Sequence, residues 1–250
     1  NATGAIATRK GSMYKNEMLK MDILNELQPL DIILEKTPFK LTDKLIPGYF
    51  GHVAIWAGSG NELKGLGLWE HEFVEAHHSD IAPGGDLDSK DGGVIIEALR
   101  SGVKLSTLNH FMNVDDFVIL RPYFPDSLSL GEKKESLLLA FRQLGKEYDF
   151  NFDINTSEKI VCSELAYVCF PQFDWDTEKI IGRHTISPDN VAAMSWQGDR
   201  LKLVAFYRDG VKCLDSEKER ILKDVILRKQ NLLILCVLLN LKIVISKKLR

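Results

Sequence analysis

Residues 46–56 read Ile-Pro-Gly-Tyr-Phe-Gly-His-Val-Ala-Ile-Trp, a turn that leads into an apolar run headed by His52. Proline and glycine favour a turn because one restricts the backbone angles and the other permits unusual ones. The apolar run over 52–57 is rich in strand-forming residues, and Gly58-Ser59-Gly60 follows it as a stop. We therefore predict a buried strand whose first residue is a histidine.

Other segments extend this prediction to a whole sheet. Strand patterns cover residues 31–34, 94–98, 117–121 and 201–207. Helical spacing of apolar residues covers 132–144 and 162–170, and shorter helical turns are predicted at 41–46 and 69–78. The helices lie before and after the run of strands rather than between each pair. The sequence thus predicts an α+β fold, with a mostly antiparallel sheet packed against helices.

The predicted elements fall between residues 27 and 210, which we interpret as one domain. A polar insertion at about 61–93 interrupts it, and its proline and glycine residues predict loops. Residues 1–26 form an N-terminal extension, and for residues 1–12, which precede Met13, an expression remnant and the start of a truncated chain are both open. Residues 211–250 form a tail that is charged at first and apolar over 232–245.

Composition and motifs exclude several functional classes. The chain has 250 residues and a formal net charge of −3, so it has no overall basic field that would attract nucleic acid. It lacks the glycine-rich motifs that bind nucleotide phosphates, and it lacks the Gly-x-Ser-x-Gly turn of α/β-hydrolases. We expect no nucleic acid partner and no cofactor.

Cysteine chemistry remains open, because the chain has four cysteines whose spacing fits neither a zinc motif nor a disulfide framework. Cys162 stands at the start of the predicted helix at 162–170. Free backbone N–H groups and the positive end of the helix dipole favour a thiolate there, and the same N–H groups can hold an oxyanion. A buried structural cysteine is the alternative.

His52 and Glu97 are the candidate partners of Cys162. Glu97 lies in the apolar run 94–98, where an unpaired buried carboxylate would cost several kcal/mol. If the two strands pair antiparallel, the end of one lies beside the start of the other, and Glu97 comes next to His52. The carboxylate would then orient the imidazole. The alternatives are a histidine bound to a backbone carbonyl and a glutamate on a wet face.

Three more histidines, His71, His77 and His78, lie in the polar insertion. A metal site there is conceivable, but no Cys, Asp or Glu set completes a recognised ligand spacing. We assign no metal to them.

Five segments in order resemble the YiiX/YaeF-like permuted papain-like amidases, relatives of the NlpC-type cell-wall peptidases. The likeness runs from about Leu27 to Ala192. The segments are Leu-Gln-Pro-Leu-Asp-Ile-Ile-Leu-Glu at 27–35, the stretch 46–56 quoted above, Val-Ile-Ile-Glu-Ala-Leu-Arg-Ser-Gly-Val at 94–103, Gly-Lys-Glu-Tyr-Asp-Phe at 145–150 and Val-Cys-Ser-Glu-Leu-Ala-Tyr at 161–167.

The resemblance implies a circularly permuted papain-like fold in which the histidine precedes the cysteine. It implies a thiolate nucleophile at Cys162, a base at His52 and an orienting residue at Glu97. Tyr148 matches a position whose hydroxyl is expected near the nucleophile, where it would assist the oxyanion hole; a ring packed in the core is the alternative. Leu30 departs from the family, which more often has glycine in this Pro-Gly-Asp turn.

Three functional classes follow. The first is a cysteine amidase or peptidase that forms a thioester with a peptide, a peptidoglycan fragment or a lipid-linked amide. The second is a lipid acyltransferase or phospholipase of the lecithin:retinol acyltransferase-like type. The third is a non-catalytic binding module on the same fold, and the presence of Cys162, His52 and Glu97 counts against it. The substrate itself is not readable from the sequence.

The apolar tail at 232–245 is shorter than the roughly 18–20 apolar residues of a membrane span. A packed terminal segment, a dimer contact and a membrane-surface segment are its three interpretations, so membrane contact and the oligomeric state stay open. No signal-peptide pattern occupies 1–20. The cysteines are expected to be reduced thiols, which slightly favours the cytoplasm, with the cell envelope as the alternative if an upstream signal belongs to the protein.

Overall fold

The structure, a computed structural model, describes residues 7–40, 48–89, 91–123, 130–148, 159–180, 183–198 and 200–229. Its strands are β1 (Ile32–Lys36), β2 (His52–Trp56), β3 (Ile95–Leu99), β4 (Gly102–Ser106), β5 (Asp116–Pro122), β6 (Glu147–Tyr148), β7 (Lys159–Ile160), β8 (Glu178–Ile180), β9 (Arg183–Thr185), β10 (Leu201–Arg208) and β11 (Val211–Lys212). Seven of them form one antiparallel sheet in the order β11-β10-β5-β1-β2-β3-β4, while β6 pairs with β7 in parallel and β8 pairs with β9.

The described helices are α1 (Glu17–Glu26), α2 (Gly60–Gly65), α3 (Glu72–Glu75), α4 (His78–Ile81), α5 (Leu108–Phe111), α6 (Leu130–Phe141), α7 (Cys162–Cys169) and α8 (Pro188–Gln197). Residues 218–229 are helical as well, and we call this segment α9. Of these, α7 packs against β2 and β3. None of the helices in the described ranges is both long enough and apolar enough to cross a membrane.

Two apolar cores lie on the two faces of the sheet. The main core contains Leu34 and Val53 from the sheet together with buried side chains of α6, α7, α8 and α9. The second core contains the neighbouring residues Ile33 and Ala54, with side chains from α1 and α5. Successive residues of a strand point to opposite faces, so β1 and β2 contribute to both cores. Each large apolar side chain buried in this way stabilises the fold by about 1.5–3 kcal/mol.

The structure confirms the predicted fold class and the five predicted strands. The predicted helices at 132–144 and 162–170 correspond to α6 and α7, while the predicted turn of helix at 69–78 is split between α3 and the start of α4. The sequence analysis did not anticipate α1, β4 and α8. The helical turns predicted at 41–46 and the apolar segment 232–245 lie outside the described residues. The proposed domain boundaries at 26 and 210 remain a prediction.

Strand register brings the candidate residues to one part of the sheet. Glu35 of β1 is the direct partner of His52 at the start of β2. On the other side of β2, Ala54 is the partner of Glu97 in β3. Because side chains two residues apart share a face, His52 and Glu97 are diagonal neighbours on one face, within reach of each other.

Candidate active site

Cys162 is the first residue of α7, as the sequence predicted, and its side chain belongs to the main core. Val161 precedes it in an extended conformation and has no side-chain acceptor to cap the helix. Its own backbone N–H donates to Oε2 of Glu164 at 2.9 Å, which ties the entry of the helix to its first turn. The N–H groups of the first turn therefore keep their capacity to bind a negatively charged group.

His52 lies where the two cores meet. Its ring centroid is 5.9 Å from that of Phe111 in the second core, and its imidazole also interacts with the Cys162 side chain from the main core. The ring is buried, so the protein rather than water determines its orientation.

Glu97 completes the contact on the other side of the imidazole. Its Oε2 lies 2.7 Å from Nε2 of His52, and the residue is only 2% exposed. This confirms the predicted proximity of the two side chains. A glutamate in an apolar strand is tolerated here because it has a hydrogen-bond partner that can carry a positive charge.

The electrostatics of the pair favour the charged forms. Burial opposes a charged imidazole, but the interactions of His52 with Cys162 and Glu97 outweigh it and raise the pKa of His52 well above its ordinary value of 6.5. For Glu97, burial acts to raise the pKa, but the hydrogen bond and charge of His52, together with Ser106, lower it below its ordinary value. These interactions favour a charged imidazolium at His52 beside an ionised Glu97.

Tyr148 lies in β6, which pairs with β7, and β7 ends two residues before Cys162. Its Cα is the register partner of Ile160, two residues before Cys162. The partly buried ring packs against the main core. The described contacts thus bring the Tyr148 backbone near the start of α7, and the role of its hydroxyl remains a prediction.

Glu35 is a buried carboxylate that the sequence analysis did not single out as a site residue. It is the direct strand partner of His52, and it is 8% exposed. Burial raises its pKa, while the charges of Lys40 and His52 act in the opposite direction; Lys40 Nζ lies 3.7 Å from its Oε1. The argument that drew attention to Glu97, a carboxylate in an apolar strand that needs a partner, applies equally to Glu35.

The histidines of the insertion have local contacts. His78 stacks on Trp69 with ring centroids 3.7 Å apart, and its Nε2 hydrogen-bonds the Trp69 carbonyl. His71 accepts a hydrogen bond from the Phe73 N–H and so caps α3. In the part of the chain that the structure describes, no group of three or more His, Cys, Asp or Glu side chains could hold a metal ion.

Comparison with known proteins gives the chain a family. The sequence model of the permuted papain-like amidase enzymes, the YaeF/YiiX or C92 family of peptidases, matches residues 26–226. The chain belongs to this family. Its members are described as amidases, and membership supports the cysteine-hydrolase class for this protein.

One solved structure is also similar, a crystal structure described as that of the metalloprotein YiiX from Escherichia coli O157:H7. It shares 17% sequence identity with the chain, with a TM-score of 0.41, and the match covers 72% of this chain and 97% of that one. No curated protein matches the sequence.

Proposed function

We propose that the protein is a cysteine-dependent amidase or peptidase that acts through a thioester acyl-enzyme. One observation supports this above all others: the buried His52 imidazole contacts the carboxylate of Glu97 on one side and Cys162, at the start of α7, on the other. A nucleophile, a base and a residue that orients the base are the three parts that such catalysis needs.

Each group has a role that its contacts suggest. Since Nε2 of His52 faces Glu97, Nδ1 is the nitrogen that would exchange a proton with the Cys162 sulfur. The thiolate attacks the carbonyl carbon of an amide and forms a tetrahedral oxyanion. His52 then gives its proton to the leaving amine as the C–N bond breaks, and a thioester remains. Water, deprotonated by His52, attacks the thioester and releases the carboxylic acid and the thiol.

The oxyanion would be stabilised by the start of α7. The backbone N–H groups of its first turn lack a side-chain cap, and they belong to the residue that carries the nucleophile and to its neighbours. Removal of one rigidly held donor of this kind typically lowers kcat by about 10²–10³-fold. Tyr148 is proposed as an additional donor, on the grounds of its strand pairing beside Ile160.

We propose an amide of a peptide, a peptidoglycan fragment or a lipid-linked amine as the substrate. The family supports the amide and leaves the rest of the substrate open. A lipid acyltransferase would use the same acyl-enzyme and differ only in its acceptor. Analysis of products with and without an added amine or alcohol separates transfer from hydrolysis.

Covalent labelling tests the proposal without knowledge of the substrate. The intact protein is treated at neutral pH with a peptidyl acyl probe that reacts with thiols. The modified residue is then identified by mass spectrometry. We expect modification at Cys162 and a large loss of the labelling rate in Glu97→Gln, because the imidazole loses the carboxylate that orients it.

Cys213→Ala is the matched control, since Cys213 is a free and only partly buried cysteine outside the site. This variant should label like the wild type, and Cys162→Ala should not label. Modification at Cys213 or Cys169 in place of Cys162, or full amide-cleaving activity in Cys162→Ala, would overturn the assignment.

A further inference from the structure

The start of α8 holds the segment that leads into His52. The carboxylate of Asp189 accepts two successive backbone hydrogen bonds, from Tyr49 N–H to Oδ2 at 2.7 Å and from Phe50 N–H to Oδ1 at 2.9 Å. Asp189 is 3% exposed, so these bonds form away from water, where bonds to a charged acceptor are strong. Both donors lie within three residues of His52.

Gly48 lets the two parts of the chain come this close. Its φ is +112°, a conformation that residues with a side chain rarely adopt. A Cβ atom placed there would lie 2.8 Å from Oδ2 of Asp189, closer than real Cβ contacts allow. The glycine and the aspartate therefore form one close contact between segment 48–50 and α8.

The same end of α8 also holds the residue that follows the nucleophile. The hydroxyl of Ser163 donates to the carbonyl of Ile186 at 2.6 Å, and both residues are buried. Ser187 caps α8 by accepting a hydrogen bond from the Asn190 N–H at 3.1 Å, which makes this helix start a defined structure. Segment 186–189 is thus bonded both to the chain beside Cys162 and to the chain before His52.

We propose that Asp189 is a positioning residue that sets the location of His52 relative to Cys162. Catalytic geometry is sensitive to small movements, and a misplacement of about 1 Å can cost about 100-fold in rate. Asp189 binds backbone segment 48–50, which leads into His52, and the carbonyl of Ile186 binds Ser163 in the first turn of α7. The start of α8 therefore positions both His52 and Cys162. This inference rests on the proposed function of the same site.

The variants Asp189→Ala and Asp189→Asn test it, because alanine removes both acceptor oxygens and asparagine keeps one. Two quantities are measured in the full chain: the pKa of His52 by NMR titration, and the rate at which iodoacetamide alkylates Cys162. We expect the His52 pKa to fall toward its ordinary value and the alkylation rate to fall about tenfold or more, with asparagine intermediate. The wild type has a raised His52 pKa because Cys162 and Glu97 are held against the ring.

Asp31→Asn is the matched control. Asp31 is also a fully buried carboxylate that accepts a backbone hydrogen bond, from Gln28, but it lies at the opposite end of β1 from the strand partner of His52. The Asp31→Asn variant should have a lower midpoint of thermal unfolding, with the His52 pKa and the Cys162 alkylation rate unchanged. If Asp189→Asn behaves like this control, Asp189 has only a structural role and the positioning proposal is wrong.

The wild-type protein separates this outcome from failure of the proposed function. If wild-type Cys162 reacts with the acyl probe no faster than Cys213, the proposed function fails, whatever Asp189 does. If wild-type Cys162 reacts rapidly and the Asp189 variants match it, only the positioning role is refuted.

Discussion

Two buried glutamates, on the strands β1 and β3 that flank β2, have pKa shifts of opposite sign. Glu97 and Glu35 both follow apolar residues, and both lie beside His52. Glu97 has its oxygen 2.7 Å from the imidazole, and this contact outweighs burial and lowers its pKa. Glu35 has the weaker partner Lys40 at 3.7 Å, so burial dominates and raises its pKa. The hydrogen bonds that Glu97 accepts therefore favour its ionised form, and Glu35 has only charge interactions to oppose its burial.

The pKa of His52 provides a direct measure of its contact with the nucleophile. In Cys162→Ala we expect this pKa to fall, because Cys162 is the largest of the influences that raise it while burial continues to lower it. The NMR titration of the imidazole protons measures the change. Cys169→Ala is the control, since Cys169 is buried seven residues further along α7. An unchanged pKa in Cys162→Ala would contradict the proposed contact.

Glu35 should make folding stability depend on pH. Its pKa is raised in the folded protein, so the folded state holds a proton that the unfolded state has already released. The free-energy cost of this proton difference to the folded state is absent below the ordinary Glu pKa of 4.5. It grows as the pH rises from there through the raised pKa of Glu35 in the folded protein. Glu35→Gln should therefore gain stability relative to the wild type across this window, as urea unfolding at a series of pH values would show. A stability difference that does not change with pH would contradict the assignment.

The turn before β1 shows how an element tolerates an unfavourable residue. Leu30 adopts a φ of +78°, although a left-handed conformation costs a non-glycine residue about 1–2 kcal/mol. Its side chain is buried in the main core, and its N–H donates to the Trp56 carbonyl at 2.9 Å. The burial offsets the strain, and this explains how leucine can occupy a left-handed position that glycine would adopt without strain.

Replacement of Leu30 tests this balance. In Leu30→Gly the strain disappears, but a buried leucine is lost, and truncating one costs about 2–5 kcal/mol. We expect a net loss of about 1–3 kcal/mol in the free energy of unfolding. Leu30→Ala keeps the strain and retains only the Cβ of the leucine, so it should be about 1 kcal/mol less stable than Leu30→Gly. Urea unfolding measures both variants, and an alanine variant that is the more stable one would contradict the strain.

At the scale of the whole molecule, α9 closes the main core. Leu222 and Ile226 are buried there, and Val225 is 8% exposed. This segment follows β11 and comes before the apolar stretch at 232–245, which lies outside the described residues. The C-terminal region therefore contributes to the fold before its apolar stretch begins.

Two truncations separate folding from membrane contact. Ending the chain after residue 215 removes three buried side chains worth about 1.5–3 kcal/mol each and should lower the free energy of unfolding by about 5 kcal/mol or more. Ending it after residue 229 keeps them and should cost much less, as thermal unfolding would show. Comparing the second form with the full chain in liposome sedimentation then tests the membrane-surface interpretation of 232–245, one of the three that the sequence left open, and equal binding would refute it.

The sequence by itself determined five strands of the main sheet, the helix that starts at Cys162 and the family, since strand alternation, helical spacing and ordered motifs are local signals. It also placed Glu97 beside His52, because in an antiparallel pair the end of one strand lies next to the start of the other. Only the tertiary structure decided that Asp189 binds the backbone of Tyr49 and Phe50, across separations of 140 and 139 residues. Hydrogen bonds between parts of the chain so far apart leave no periodic pattern in the sequence, so their partners emerge only when the elements pack.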